Sequence, residues 1–160
     1  MFSRVRPFLR AAEAATEAVG TANKLTLNFM LPHEPVLPLK SKVELVTIPG
    51  TSGVFGVMPN HVPTIAQLKP GVVTVQFSAD KTEDYFVSGG FAWIRPDSSL
   101  DITAGEAVKL ADVDVEAVKK GLTQAQQETT SAQSDVDKAR AQIHVEVYEA
   151  LAAALNIPRA

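Results

Sequence analysis

The chain has 160 residues, 46% of them hydrophobic and 21% charged, with a formal net charge of −3 and a pI of about 5.6. That suffices for one compact domain with a core plus an appendage, and the acidic balance argues against a general nucleic-acid binder. There are no cysteines, which excludes disulfides, thiolate metal sites and cysteine nucleophiles, and no apolar run approaches the roughly 20 residues needed to cross a bilayer.

Met1 to Ala22 has its own texture. Arg4, Arg6 and Arg10 come before any acid. At about 100° per residue, Phe2, Val5, Phe8, Leu9 and Ala12 share one side of a helix and the arginines take the other. An Arg-rich, acid-poor amphipathic start reads as a mitochondrial presequence over residues 1–22. Glu13 and Glu17 depart from that pattern, and an ordinary surface helix is the alternative. A secretory signal does not fit, because no uninterrupted apolar stretch follows the arginines.

Residues 23–111 read as a β-domain. Leu25, Leu27, Phe29 and Leu31 alternate with Lys24, Thr26, Asn28 and Met30. Similar runs follow at 43–48, 72–77, 85–87, 91–94, 100–103 and 107–110. Period-2 alternation rich in Val, Ile, Phe and Thr marks half-buried strands. Turn signals separate them: Pro49-Gly50, Pro59-Asn60, Pro70-Gly71, Gly89-Gly90, Pro96-Asp97-Ser98 and Ala104-Gly105. The pattern predicts an antiparallel β-sandwich or flattened barrel. Within it, the stretch from Pro49 to Pro63 packs Gly, Pro and Asn around a short apolar centre. Such a backbone turns, runs briefly extended and turns again, presenting a few side chains from a rigid frame. Trp93, the only tryptophan, reads as a core residue, with an interface contact as the alternative.

Residues 112–160 read as an αα-hairpin. Asp112 or Asp114 caps the first helix, whose stripe of Val115, Val118, Leu122 and Ala125 is thin. Gly121 weakens it by about 1 kcal/mol relative to Ala. The polar stretch from Glu128 to Ser134 reads as the turn. Ser134 and Asp137 resemble a capping box. A second helix carries Ile143, Val147, Ala150, Leu151 and Ala154, and Asn156 and Pro158 end it. So thin a first helix predicts that the hairpin leans on the β-domain, on a partner, or on both.

Reactive chemistry is hard to find. His33, His61 and His144 have no ligand spacing, and Gly50, Gly53 and Gly56 do not match a dinucleotide fingerprint. The reading is of a protein with no catalytic residue, no cofactor and no metal, whose activity is assembly.

The segment Gly53-Val54-Phe55-Gly56-Val57-Met58-Pro59-Asn60-His61-Val62-Pro63 resembles the G-x-[LF]-G-[IV]-x-x-x-H-[AV]-P loop of the mitochondrial ATP synthase delta family, counterparts of the bacterial epsilon subunit. Leu68-Lys69-Pro70-Gly71, Tyr85-Phe86-Val87-Ser88-Gly89-Gly90 and Asp97-Ser98-Ser99 resemble that family's later motifs, in the same order. The resemblance covers essentially all of residues 24–155. It implies a non-catalytic central-stalk role at the matrix side of the mitochondrial inner membrane, touching the membrane only through its partners. Those partners would be the gamma subunit, the c-ring and the small mitochondrial epsilon subunit. It further implies a c-ring-facing surface of Val54, Phe55, Val57, Met58 and His61, with inward packing of Phe55 and Val57 as the alternative. Val54 stands where some bacterial relatives carry a Glu, so that polar contact is missing here. Some bacterial relatives bind ATP through [IL]-D-x-x-R-A, and Val136-Asp137-Lys138-Ala139-Arg140-Ala141 has that form. Asp137 and Arg140 are therefore candidates for a regulatory nucleotide site, although 141–155 holds no Lys or Arg to complete it. A generic β-sandwich scaffold is the remaining alternative.

Overall fold

A computed structural model describes residues 24–157; the expected presequence over residues 1–22 and the expected stop at Pro158 lie outside the described residues. The strands are β1 (Leu25–Met30), β2 (Ser41–Val43), β3 (Leu45–Gly50), β4 (Gly53–Val57), β5 (Thr64–Leu68), β6 (Gly71–Ser78), β7 (Lys81–Val87), β8 (Gly90–Ile94), β9 (Ser99–Ala104) and β10 (Ala107–Lys109). They hydrogen-bond in the order β10-β7-β6-β3-β5-β8-β9-β1-β2, with β4 beside β3. The sheet folds over at β3, which pairs with β4 and β6 but meets β5 only at Gly50 and Leu68. Two layers result, and alternate residues of both turn into one apolar cluster. Leu25, Leu27 and Phe29 of β1, Val73 and Val75 of β6 and Ile102 of β9 lie within it, all fully buried. This is the expected β-sandwich, or half-barrel.

Three details differ from the pattern read in the sequence. The run 43–48 is divided at Glu44, where the chain leaves β1 and crosses to the other layer; its N–H donates to the Gln76 carbonyl at 2.8 Å. Strands that switch layers bend in this way. One pair, β1 with β9, runs parallel rather than antiparallel. No hairpin links these two strands, so the connection between them is long enough for either direction. Finally, β5 was hidden by the prolines that flank it.

The helices are α1 (Val115–Ser131) and α2 (Asp135–Ala154), after a 3₁₀ turn at Leu110–Asp112. Asp114 caps α1 by accepting from the Glu116 N–H at 2.9 Å. The polar stretch 128–131 is helical, and only 132–134 form the turn. Thr129, Thr130 and Ser131 donate their hydroxyls back to the carbonyls of Ala125, Gln126 and Glu128, so they are satisfied without leaving the helix. Ser134 accepts from the Asp137 N–H at 3.1 Å and opens α2. Asn156 sits at φ 54° just past its end, with the Asn156 and Ile157 N–H groups bonding the Ala153 and Ala152 carbonyls. This is the left-handed Schellman stop that Asn tolerates.

The hairpin leans on the sandwich through α2, which packs over β6 and faces β7 and β10. Ala141 and Ala152 are the buried residues of α2, and Val118 and Ala125 those of α1. Ile143, expected in the buried stripe, is 60% exposed. The rest of the stripe, Val147, Ala150, Leu151 and Ala154, is partly covered. Gly121 has a clear role in this seam: the Tyr148 ring lies against it where a Cβ would sit.

Gly121→Ala should therefore destabilise the hairpin, by about 1–3 kcal/mol for an overpacked contact, although Ala favours a helix by about 1 kcal/mol. Hydrogen exchange of α1 and α2 measures this, and adding Tyr148→Leu should restore protection. A stabilised Gly121→Ala hairpin would contradict the packing described. Ser134→Ala should cost about 1 kcal/mol and show in the same exchange experiment, confined to the first turn of α2.

Candidate functional site

The β3–β4 hairpin turns at Thr51-Ser52 between paired Gly50 and Gly53. Phe55 is half-buried and its ring lies over Gly50, where any side chain would overlap it. Val57 is wholly buried in the apolar cluster. The expectation that Val57 faces a partner is therefore wrong. Alternation along β4 turns Val57 inward opposite Val46, itself a core residue. Phe55 also packs against the core, with part of its ring left outside. Val54 and Met58 behave as expected of an outward surface, at 66% and 60% exposed.

The chain beyond β4 is held on a rigid peg. His61 donates its N–H to the Met58 carbonyl at 3.2 Å, closing a turn through Asn60, which has φ 63°. Asn60 donates its N–H to Ser98 Oγ at 2.9 Å and accepts that hydroxyl on Oδ1 at 3.2 Å. Ser98, at φ 59°, belongs to the β8–β9 turn. Next to it, Asp97 Oδ1 accepts from both the hydroxyl and the N–H of Ser99 at 2.6 and 3.1 Å, and the hydroxyl bond holds its carboxyl below the usual range. His61 is half-buried. Its Nδ1 lies 2.8 Å from the Val62 carbonyl, which assigns the proton to that nitrogen, and its ring stands 6.1 Å from that of Phe55. Phe55 and His61 thus shape the loop that Val54 and Met58 present.

The structure adds Ile65 and Phe91, which sequence reasoning missed as surface residues, and sets Trp93 outward. Ile65 on β5 is directly opposite Trp93 on β8, and Phe91 lies two residues along the same face of β8. They are 68%, 54% and 60% exposed. Trp93 is therefore not a core residue. Ala92 and Ile94 take the inward positions of β8, which forces Phe91 and Trp93 outward. The signal was present in β8 as large residues on one parity and a small one on the other. In β5 the signal was masked until the strand was recognised. The Arg95 guanidinium lies 5.4 Å from the Trp93 ring centroid and bonds Asp101 Oδ2 at 2.5 Å. Asp101 Oδ1 in turn accepts from Asn28 at 2.6 Å. The indole is thus steadied by a cation whose own position is fixed. Val62, just before β5, is exposed as well.

Asp137 and Arg140 form a different picture. Asp137 Oδ2 accepts the Ser134 hydroxyl at 2.6 Å, so its carboxylate is engaged in the cap. No Asp137–Arg140 ion pair forms among the described residues. Both line an open hollow of about 410 Å³ at the hairpin turn, together with Glu128 and His144, whose Nδ1 is 3.6 Å from Glu128 Oε2. One arginine facing two carboxylates is a poor cradle for a polyphosphate. His33 lies in the β1–β2 loop beside Glu34 and is exposed.

Comparison with known proteins agrees with this geometry. The family model for the ATP synthase Delta/Epsilon chain beta-sandwich domain matches residues 24–110. The mitochondrial ATP synthase subunit delta' of Ipomoea batatas is 51% identical over 134 residues, covering 84% of this chain and 66% of the relative. The mitochondrial ATP synthase subunit delta of Yarrowia lipolytica is 44% identical over 147 residues, covering 92% of this chain and 90% of the relative. Among solved structures, a chain of the Euglena gracilis mitochondrial ATP synthase, determined as OSCP/F1/c-ring in rotational state 1, superposes with a TM-score of 0.77. It is 32% identical and covers 83% of this chain and 82% of that one. A sandwich with this loop and this helical hairpin, matched over most of its length, belongs to the ATP synthase delta/epsilon family.

Proposed function

We propose that the chain is the non-catalytic central-stalk subunit of a mitochondrial ATP synthase, linking the gamma subunit to the c-ring and passing rotation between proton flow and ATP synthesis. The observation that carries this is the set of large apolar side chains held outward on a stiff β frame: Val54 and Met58 at the loop, Ile65, Phe91 and Trp93 on the sheet. Large exposed apolar side chains gathered on one face mark interaction sites, and a part that transmits torque needs stiffness and interfaces. The loop meets the c-ring through Val54 and Met58, with Phe55 and His61 setting its shape. The β5–β8 face meets gamma. The uncovered half of α2, where Val136 and Ile143 are exposed, is left for the small epsilon subunit. An N-terminal presequence over residues 1–22 delivers the chain to the matrix side of the inner membrane, and the membrane is touched only through the c-ring. A regulatory nucleotide site at Asp137 and Arg140 is not favoured, since the aspartate already serves the cap.

The direct test is affinity purification of the C-terminally tagged chain from a mild-detergent extract of mitochondria. One copy per ATP synthase, with gamma and c-ring present and the residues before about Lys24 missing, is the expected result. Recovery alone or with unrelated proteins would refute the stalk role and leave a scaffold of other purpose.

Two substitutions separate surface from core. Trp93→Ser should weaken association with gamma about thirtyfold or more, as for a buried aromatic anchor, and leave the melting temperature of the free chain nearly unchanged. Val57→Ala should do the reverse. It should cost roughly 2 kcal/mol of sandwich stability by losing buried methyls, with no selective loss of any partner at temperatures where it stays folded.

A further inference from the structure

The outward face of β5 and β8 does not end at β8. Strand register sets Ile65 of β5, Trp93 of β8, Asp101 of β9 and Asn28 of β1 side by side in one transverse row. Leu27 and Phe29, on either side of Asn28, are fully buried, so alternation turns Asn28 to the same outer side as Trp93. A second row beside it holds Gln67, Phe91, Thr103 and Met30. At about 4.8 Å from strand to strand, each row runs roughly 14 Å, and the two rows are about 7 Å apart.

The first row finishes on a built turn. The Val36 N–H donates to the Phe29 carbonyl at 2.9 Å, and Leu37 then enters the core cluster. Three residues on, the Lys40 N–H donates to Asn28 Oδ1 at 2.9 Å, while Asn28 Nδ2 donates to Asp101 Oδ1 at 2.6 Å. Lys40 takes φ 60°, a conformation that few residues other than glycine adopt. The Ser41 hydroxyl donates to the Pro38 carbonyl at 2.7 Å. Between Pro38 and Lys40 this turn holds up Leu39, which is 60% exposed and outside the core cluster. The corner is also basic. Lys42 Nζ donates to the Thr26 hydroxyl at 2.7 Å, and among the described residues neither Lys40 nor Lys42 is paired with a carboxylate. That leaves unpaired positive charge beside an exposed leucine on a chain of net charge −3.

We infer that the Leu39 turn is a second anchor of the Trp93 face, and that the occupant is one helix of the gamma subunit laid across β5, β8, β9 and β1, apolar at both ends and acidic beside Leu39. The inference rests on the reading of the β5–β8 face as the gamma surface. A helix with its side chains is about 10 Å wide and covers both rows, and about nine residues of it span their length. One extended segment is too narrow to cover Trp93 and Phe91 together. The polar middle of the row is no obstacle, since Asp101 is bonded to Arg95 and Asn28, and Asn28 to the Lys40 N–H. Covering groups that are already paired leaves little unsatisfied. The lysines at the Leu39 end then set the direction in which the helix lies.

The test uses the assembled ATP synthase. A photoreactive phenylalanine is placed at position 93 or 39, the complex is illuminated in mild detergent, and the joined peptides are identified by mass spectrometry. Both positions should join the same gamma helix, about nine residues apart, with an acidic residue near the position-39 crosslink. If position 93 joins gamma while position 39 joins another subunit, a different gamma helix or nothing, the second anchor is refuted and the gamma reading of β5 and β8 stands. If neither joins gamma, both fall. A competition gives the strength of the contact. Supplied equally with the unaltered chain, Leu39→Ser should be about tenfold under-represented in the complex, as for the loss of one buried leucine. Lys40→Asn suits the left-handed backbone better than lysine, so its loss reports charge and not folding. It should be about threefold under-represented at low ionic strength, and the deficit should fade with added salt. Lys120→Glu, on the exposed side of α1, should hold an equal share. An equal share for Leu39→Ser, or a Lys40→Asn deficit that Lys120→Glu reproduces, would overturn the anchor.

Discussion

Strand alternation around one sealed cluster is the constraint on which everything outside the core depends. Each strand gives one parity to the cluster, so the other parity must be covered by something else or remain in water. On β7, Tyr85 and Val87 go inward and Phe86 outward, yet Phe86 is only 5% exposed, because α2 lies over it. On β8, Ala92 and Ile94 go inward, and Phe91 and Trp93 go outward with nothing among the described residues over them. Both outer faces carry large apolar side chains, but the described residues supply a cover for one of them. The hairpin cannot serve both, since its short link to β10 ties it to the β7 side. The bare face is thus a consequence of topology, and it is held ready by Arg95 and Asp101 rather than left to collapse.

The loop after β4 meets a related demand by different means. An exposed apolar segment in water tends to fold back on itself, which would hide Val54 and Met58. Here the backbone is committed at two points. Phe55 and Val57 insert into the core below, and Asn60 is gripped by Ser98 from another turn. Both gripping residues adopt positive φ, a conformation that small polar residues tolerate best. The order to which the loop is held is set by the sandwich, so a contact made there does not have to fix the loop first.

Much of this was legible in the residues. Period-2 runs located seven of the strands because their inward positions are Val, Ile, Leu and Phe, which no loop requires. The helix ends were readable because Asp114, Ser134 and Asn156 each perform the capping their side chains suit. What could not be read was information carried by pairing. Nothing local says that β1 lies parallel to β9, or that 43–48 breaks at Glu44 to change layers. The same holds for the candidate surface. Val54, Phe55, Val57, Met58 and His61 fall within eight residues of sequence, and only the register with β3 separates the outward Val54 from the buried Val57. Ile65 and Trp93 become neighbours only when β5 is laid against β8. Gly121 read as a weakness of α1 because its compensation, Tyr148, belongs to the other helix.

The hairpin shows why its two apolar faces are unequal. α2 must meet α1 on one side and the sandwich on another, and a helix turning about 100° per residue has room for two such stripes only if each is narrow. The stripe toward α1 is built from Ala141 and Ala152, small enough to let the axes approach, with Tyr148 set into the gap left by Gly121. The stripe toward the sandwich, Val147 and Leu151, lies with Phe86 and Val108 along an open cleft. The first contact is close-packed and resists distortion, while the second is shallow.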